Sequence, residues 1–278
     1  MKNAAFKRRQ AMEKLRRISV ALPGALVLFF LAAPVLAVIP MSFGSAGPLM
    51  LIPDKPTWSQ YTRFFSSAEW MTALWISVQV ALGTTVLATV IGTAAALGLS
   101  RLAPRWRMLI EALLILPRIV PTIVFAVAAY SVFLKFGLVG SVFGLVLAHS
   151  VLATPFVVVF VGSALRGLDR SLVEASRSLG AGPVTTFFRI ILPQIRLSLI
   201  GSALFAFNIS FDEVVVTLFI SGVRSKTLPV KVWDAIQYEI TPILPAISTL
   251  VILATLALLL PLLLLRQRLD SSRQPKVT

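Results

Sequence analysis

The stretch from Glu174 to Pro193, EASRSLGAGPVTTFFRIILP, decides how the rest of the chain is read. Just upstream, Ser171-Leu-Val-Glu174 has the spacing of a capping box, in which the Ser171 hydroxyl accepts from the Glu174 amide and the Glu174 side chain returns to the Ser171 amide. A short helix is expected to start there and run through Ala175 to Leu179. Gly180 and Gly182 supply a left-handed stop, and Pro183 blocks continuation. A second short segment, Val184–Ile191, presents Phe187, Phe188, Ile190 and Ile191 before Pro193. Two short helices around a glycine turn form a knob too small to bury its own apolar residues, and a partner protein is its natural cover.

Outward from the knob the chain is dominated by long apolar runs. Of its 278 residues 57% are hydrophobic and 13% charged, about half the charge of a soluble globular chain. A bilayer-spanning helix takes about 20 mostly apolar residues. That length rule gives six spans, at Ile18–Met41, Ala73–Leu99, Met108–Leu134, Leu138–Gly162, Leu197–Ser221 and Thr241–Leu265. The chain thus divides into a basic N-terminus (1–17), a first span (18–41), a loop (42–72), a five-helix core (73–265) containing the knob loop 163–196, and a tail (266–278). The first apolar run is longer than the 7–15 residues of a cleavable signal and reads as a retained anchor, with cleavage before Pro40 as the alternative.

Charge sets the orientation. With the N-terminus inside, the inner segments hold 19 Lys and Arg and the outer segments 6, with Arg118 alone inside a span. By the positive-inside rule both termini and the knob loop are cytoplasmic. The same rule explains the formal charge of +15 without nucleic acid, for which no folded basic face is left over. The outer loop Ser42–Thr72 is rich in Pro and aromatics, which suits either an aromatic belt anchoring helix ends or a recognition site. The absence of Cys excludes disulfides, thiolate catalysis and Cys-ligated metals.

The knob resembles the EAA loop of ATP-binding-cassette (ABC) importer permeases, whose pattern is Glu-Ala-Ala, three residues, Gly, nine residues, Ile, one residue, Leu-Pro. Glu174, Ala175, Gly180, Ile190, Leu192 and Pro193 fall in register, and Ser176 replaces the Ala at the third position, small for small. SFDEVVVTLFISG (210–222), TLPVKVWDAI (227–236) and LPRIVPTIV (116–124) are similar to the permeases that serve spermidine and putrescine importers. The resemblance implies an all-α integral membrane protein of six transmembrane helices with the type I ABC importer permease fold. It implies a cytoplasmic coupling helix, about Leu168–Gly182, between spans four and five, seated in a groove on a separate ATPase. Glu174 and Arg177 would supply charge contacts there, and Gly180 and Gly182 close packing. The partners implied are an ABC ATPase dimer, a second permease subunit and an extracytoplasmic solute-binding protein, in a bacterial inner membrane. No cofactor is expected on this chain. ATP and Mg belong to the ATPase partner, since no G-x-x-x-x-G-K-[ST] loop occurs here.

Charges inside apolar spans are the second lead, because each is unfavourable by about 2.5–3.5 kcal/mol at a helix centre and so faces a partner or a watery path. Asp212 and Glu213 are placed mid-span, about 100° apart if helical, with Asn208 one turn before Asp212 and Phe205 and Phe211 nearby. Carboxylate, amide and rings suit a chain of weak contacts for a polyvalent cation. The alternative is a structural carboxylate bonded to a neighbouring span. His149 stands alone among apolar residues and reads as a hydrogen-bonded core histidine rather than a metal ligand. Pro117, Pro121 and Pro155 are candidate kinks. The rivals to a permease are a membrane enzyme, for which no His/Asp/Glu cluster is present, and a secondary transporter, which leaves the knob unexplained.

Overall fold

The computed structural model describes residues 2–45, 50–238 and 241–273, all of whose regular elements are helical. They fall into two compact units, Met1–Ser66 with Thr241–Ile252 and Ser67–Ile240 with Leu253–Thr278.

In the first unit, helix α1 (Lys2–Met41) joins the expected basic terminus and first span into one element, and its apolar part, Ala21–Met41, is long enough to cross a bilayer. Helix α2 (Ser59–Ser66) lies within the loop expected at 42–72. Phe43, Trp58 and Tyr61 gather there with ring centroids 4.9–5.7 Å apart, and the Tyr61 hydroxyl meets Ser42 Oγ at 2.7 Å. The last helix, α12 (Ile243–Arg273), begins in this unit with the apolar stretch Ile243–Leu258.

The second unit is built on two unbroken helices, α3 (Ala68–Leu99) and α6 (Val142–Arg166). They approach closely because small residues face each other's bulk: a Cβ on Gly92 would lie 2.6 Å from Val157 Cβ, and one on Gly83 2.8 Å from a Val146 methyl. Pro155 is carried inside α6 without ending it.

Around this pair two of the expected spans are interrupted, although the second keeps an unbroken apolar run, Pro183–Phe211, long enough to cross a bilayer. The expected third span divides into α4 (Pro104–Ile119) and α5 (Thr122–Lys135), bent by 96°. Pro121 has no amide proton to continue the helix, and it forces Val120 into an extended conformation at ψ 137°. The expected fifth span divides into α9 (Leu192–Phe211) and α10 (Val215–Ile220).

Two apolar cores result. One joins Ala88 and Ala96 of α3, Val157 and Val161 of α6 and Ile195 and Ala206 of α9, with Ile110 and Leu114 of α4 against it. The other joins Ile76 and Val80 of α3, Leu145 and Leu152 of α6, Ala126 of α5 and Val216 and Ile220 of α10. Each broken span thus gives one piece to each core, while α3 and α6 run through both. Helix α11 (Leu228–Tyr238) is fastened to α3 by the Leu228 amide donating to Ser77 Oγ at 2.7 Å, and Lys231 Nζ reaches Glu69 Oε2 at 2.7 Å.

Candidate functional site: an exposed knob and a broken span

Helix α6 ends at Arg166 and the next long helical run begins at Pro183, so the loop between them is shorter than the 163–196 expected. It contains α7 (Arg170–Ser178). The capping box is not what starts this helix. Asp169 is the N-cap, and its carboxylate accepts from the Ser171 amide at 2.9 Å and the Ser171 hydroxyl at 2.7 Å. A carboxylate two residues ahead is the stronger acceptor, and Ser171 spends its own proton on it. These two bonds hold the Asp169 carboxyl below its ordinary pKa.

Gly180 closes α7 at φ 80°, and the amides of Leu179, Gly180 and Ala181 return to Ala175, Arg177 and Ser176 carbonyls. Space around Gly180 and Gly182 is open, so within this chain Gly180 is required by its backbone conformation and not by close packing. Ser176, the departure from the EAA pattern, places its hydroxyl 3.0 Å from Thr186 Oγ1, and Thr186 is buried and donates to the Gly182 carbonyl. That pair ties the two arms of the knob together. Leu179, Val184 and Phe188 are 87%, 68% and 60% exposed, and Glu174, Ala175 and Arg177 are exposed beside them. Among the described residues neither Glu174 nor Arg177 is in an ion pair.

The second arm is not a separate segment ended by Pro193. Helix α8 (Pro183–Thr186) passes into a single π turn at Phe187–Ile191 and on into α9. The wider turn absorbs the missing amide of Pro193: the Leu192 amide bonds back five residues to the Phe187 carbonyl, and Gln194 Nε2 donates to the Ile190 carbonyl at 3.0 Å. Ile190 and Leu192 therefore sit at the root of α9, half-buried, rather than in the turn.

Asp212 and Glu213 do not share a continuous helix. Helix α9 ends at Phe211, the Asp212 amide closing on the Asn208 carbonyl, and Asp212 is exposed. Glu213 turns the other way and caps α10, its Oε1 accepting from the Val216 amide at 3.0 Å. Phe211 stacks on Phe207 at 5.8 Å, and Asn208 is half-buried on the same last turn. Phe205 is not brought to Asp212: it packs edge-on against Phe156 and Phe160 of α6, with the Arg118 guanidinium 4.9 Å over the Phe156 ring. Glu111 pairs with Arg107 at 2.9 Å.

His149 is the hydrogen-bonded core histidine expected, but sequence reasoning missed the polar belt it belongs to at this break. His149 is fully buried, with Nδ1 2.9 Å from Ser210 Oγ and Nε2 3.0 Å from Thr217 Oγ1. Ser210 also meets Thr84 Oγ1 of α3 at 3.2 Å, and Thr217 donates to the Glu213 carbonyl at 2.8 Å. Four polar residues scattered through apolar runs were the available signal. Among the described residues no group of His, Cys, Asp and Glu is placed to hold a metal ion.

Long apolar helices, a bent helix pair and an exposed helical knob define a polytopic helical membrane protein. Residues 88–274 match the family described as "Binding-protein-dependent transport system inner membrane component", and the chain belongs to that family. It is 34% identical over 202 residues to the spermidine/putrescine transport system permease protein PotC of Haemophilus influenzae, covering 73% of this chain and 79% of that one. It is 32% identical over 240 residues to the putrescine transport system permease protein PotI of Escherichia coli K12, covering 80% and 82%. In fold it is similar to a chain of a bacterial ABC transporter involved in the import of the acidic polysaccharide alginate, with TM-score 0.66, 14% identity and 95% and 98% coverage. The all-α fold of ABC importer permeases and the multi-pass place in the inner membrane, both expected from the EAA resemblance, are met.

Proposed function

We propose that this chain lines the translocation path of an ATP-driven importer for polyamines of the spermidine and putrescine kind. Helix α7 acts as its coupling helix and Asp212, with Asn208 and Phe211 beside it, as the solute-facing group. The support for the solute class is the likeness to PotC and PotI together with an exposed carboxylate at a helix break. In this reading the six spans leave both termini and the knob in the cytoplasm. The knob docks on an ABC ATPase dimer that binds ATP and Mg; a second permease subunit and an extracytoplasmic binding protein complete the machine. The chain carries no cofactor of its own. The observation that carries the coupling role is the knob's exposed apolar surface, which nothing among the described residues covers. ATP-driven closure of the ATPase pair would push the knob and rock the spans between inward-open and outward-open states.

The test uses the whole transporter in proteoliposomes, with its ATPase, second permease and binding protein, reading ATP hydrolysis and spermidine uptake together. Gly180→Leu forces a branched side chain into a left-handed conformation, and we expect hydrolysis to continue while uptake fails. Gly180→Asn, which tolerates that conformation, keeps a larger share of uptake. Full uptake by Gly180→Leu would refute the coupling role, and absence of spermidine and putrescine uptake in the unaltered transporter would refute the solute class.

A further inference from the structure

The break in the fifth span is held from outside the span. Its two pieces are joined by only three residues, Asp212 to Val214, of which Asp212 (φ −87°, ψ −3°) and Val214 (φ −99°, ψ −47°) stay in the right-handed region. A torsional change within these three residues would let the helix run on or turn elsewhere. What stands against that is His149 on the unbroken helix α6, which reaches Ser210 in the last turn of α9 with one nitrogen and Thr217 in the first turns of α10 with the other. Thr217 gives its own proton to the Glu213 carbonyl, so toward His149 it offers a lone pair. The imidazole is a strut of fixed length between the two ends of the break. Asp212 lies between those ends and has no such tie to another span among the described residues, so its position follows from theirs.

We propose that His149 is a positioning residue of the solute path: by bridging Ser210 and Thr217 it fixes where the Asp212 carboxylate stands. This rests on the reading of Asp212 as a solute contact. The imidazole itself is fully buried and touches no solute. Removing it does not orphan its neighbours, since Ser210 keeps Thr84 and Thr217 keeps the Glu213 carbonyl. Variants at this position are therefore compatible with a folded chain, and the loss falls on geometry.

The experiment measures KM and maximal rate of spermidine uptake by the assembled transporter for Thr217→Val, His149→Leu, His149→Gln and Asp212→Asn, and for Asp212→Asn combined with Thr217→Val. Thr217→Val is the milder probe and decides the matter where His149→Leu assembles poorly. We expect Thr217→Val and His149→Leu to raise KM about tenfold, equal to about 1.4 kcal/mol of solute binding, with the maximal rate nearly kept. His149→Gln, whose amide both donates and accepts, recovers part of the loss. In the Asp212→Asn background Thr217→Val adds little, because the group being positioned is already gone. Equal effects of Thr217→Val in both backgrounds, or an unchanged KM in Thr217→Val, would overturn the proposal while leaving Asp212 a solute contact. An unchanged KM in Asp212→Asn would instead remove the solute reading of Asp212, and the positioning role with it.

Discussion

The two broken spans reach the same outcome by different physics. Between α4 and α5 the interruption is covalent: Pro121 lacks an amide proton, Val120 before it is extended, and no side chain caps α5. Between α9 and α10 there is no proline; there Glu213 caps α10 and His149 bridges Ser210 and Thr217. A break written into the backbone persists whatever its neighbours do. A break made of side-chain hydrogen bonds lasts as long as its partners stay in place.

The largest expected effect comes from erasing the first kind of break. A proline inside a helix disfavours it by about 3 kcal/mol, so Pro121→Leu removes a bias of that size against a straight third span. Straightening would pull Ala126 of α5 out of one core and Ile110 and Leu114 of α4 from the other. We expect this variant to lower both the yield of assembled transporter and its melting temperature more than any other substitution considered. A Pro121→Leu transporter as stable as the parent would show that packing alone sets the 96° bend.

A smaller effect is expected at the second break. Glu213→Ala removes the acceptor that caps α10 and is expected to destabilise the protein by about 1 kcal/mol, read as a lower melting temperature in detergent. Glu213→Gln keeps an acceptor oxygen at the same reach and should melt close to the parent. If Gln were as damaging as Ala, the negative charge and not the hydrogen bond would be what matters, and the comparison between the breaks would have to be redrawn.

This contrast also explains what could be read from the chain alone. The apolar run lengths, the glycine that ends α7 and the EAA register are local and periodic, so the fold class and the place of the knob were visible in the residues. Pro121 was visible for the same reason. The break at Asp212–Val214 was not, because the side chains that meet its flank at Ser210 come from far along the chain, His149 61 residues and Thr84 126 residues before it. Without that contact a Phe-Asp-Glu-Val run inside an apolar stretch reads as helix, and Asp212 and Glu213 then fall on one wheel when they in fact serve two separate helix ends. Phe205 was misplaced by the same error of scale: two turns of α9 separate it from Asp212, and its ring is committed to Phe156 and Phe160. The capping box failed more narrowly, since Asp169 two residues upstream of Ser171 competes for the same amide and wins.

The knob repeats the second kind of break on a smaller scale, and there the expected effect is smallest. Its two arms meet across Gly180–Gly182 and are tied by the Ser176 and Thr186 hydroxyls at 3.0 Å. A hydrogen bond of this kind contributes about 0.5–1.5 kcal/mol. Ser176→Ala, which restores the Ala at the third position of the EAA pattern, should fall at or below the lower end of that range, because Thr186 retains the Gly182 carbonyl as a partner and no buried group is left unpaired. Hydrogen exchange of the α7 amides is the sensitive measurement: slightly faster exchange with unchanged spermidine uptake is expected. The paired change Thr186→Val removes both bonds at once, and its exchange should be faster than that of Ser176→Ala. Should the two variants exchange alike, the Thr186–Gly182 bond contributes nothing and the knob is held shut by Gly180 alone.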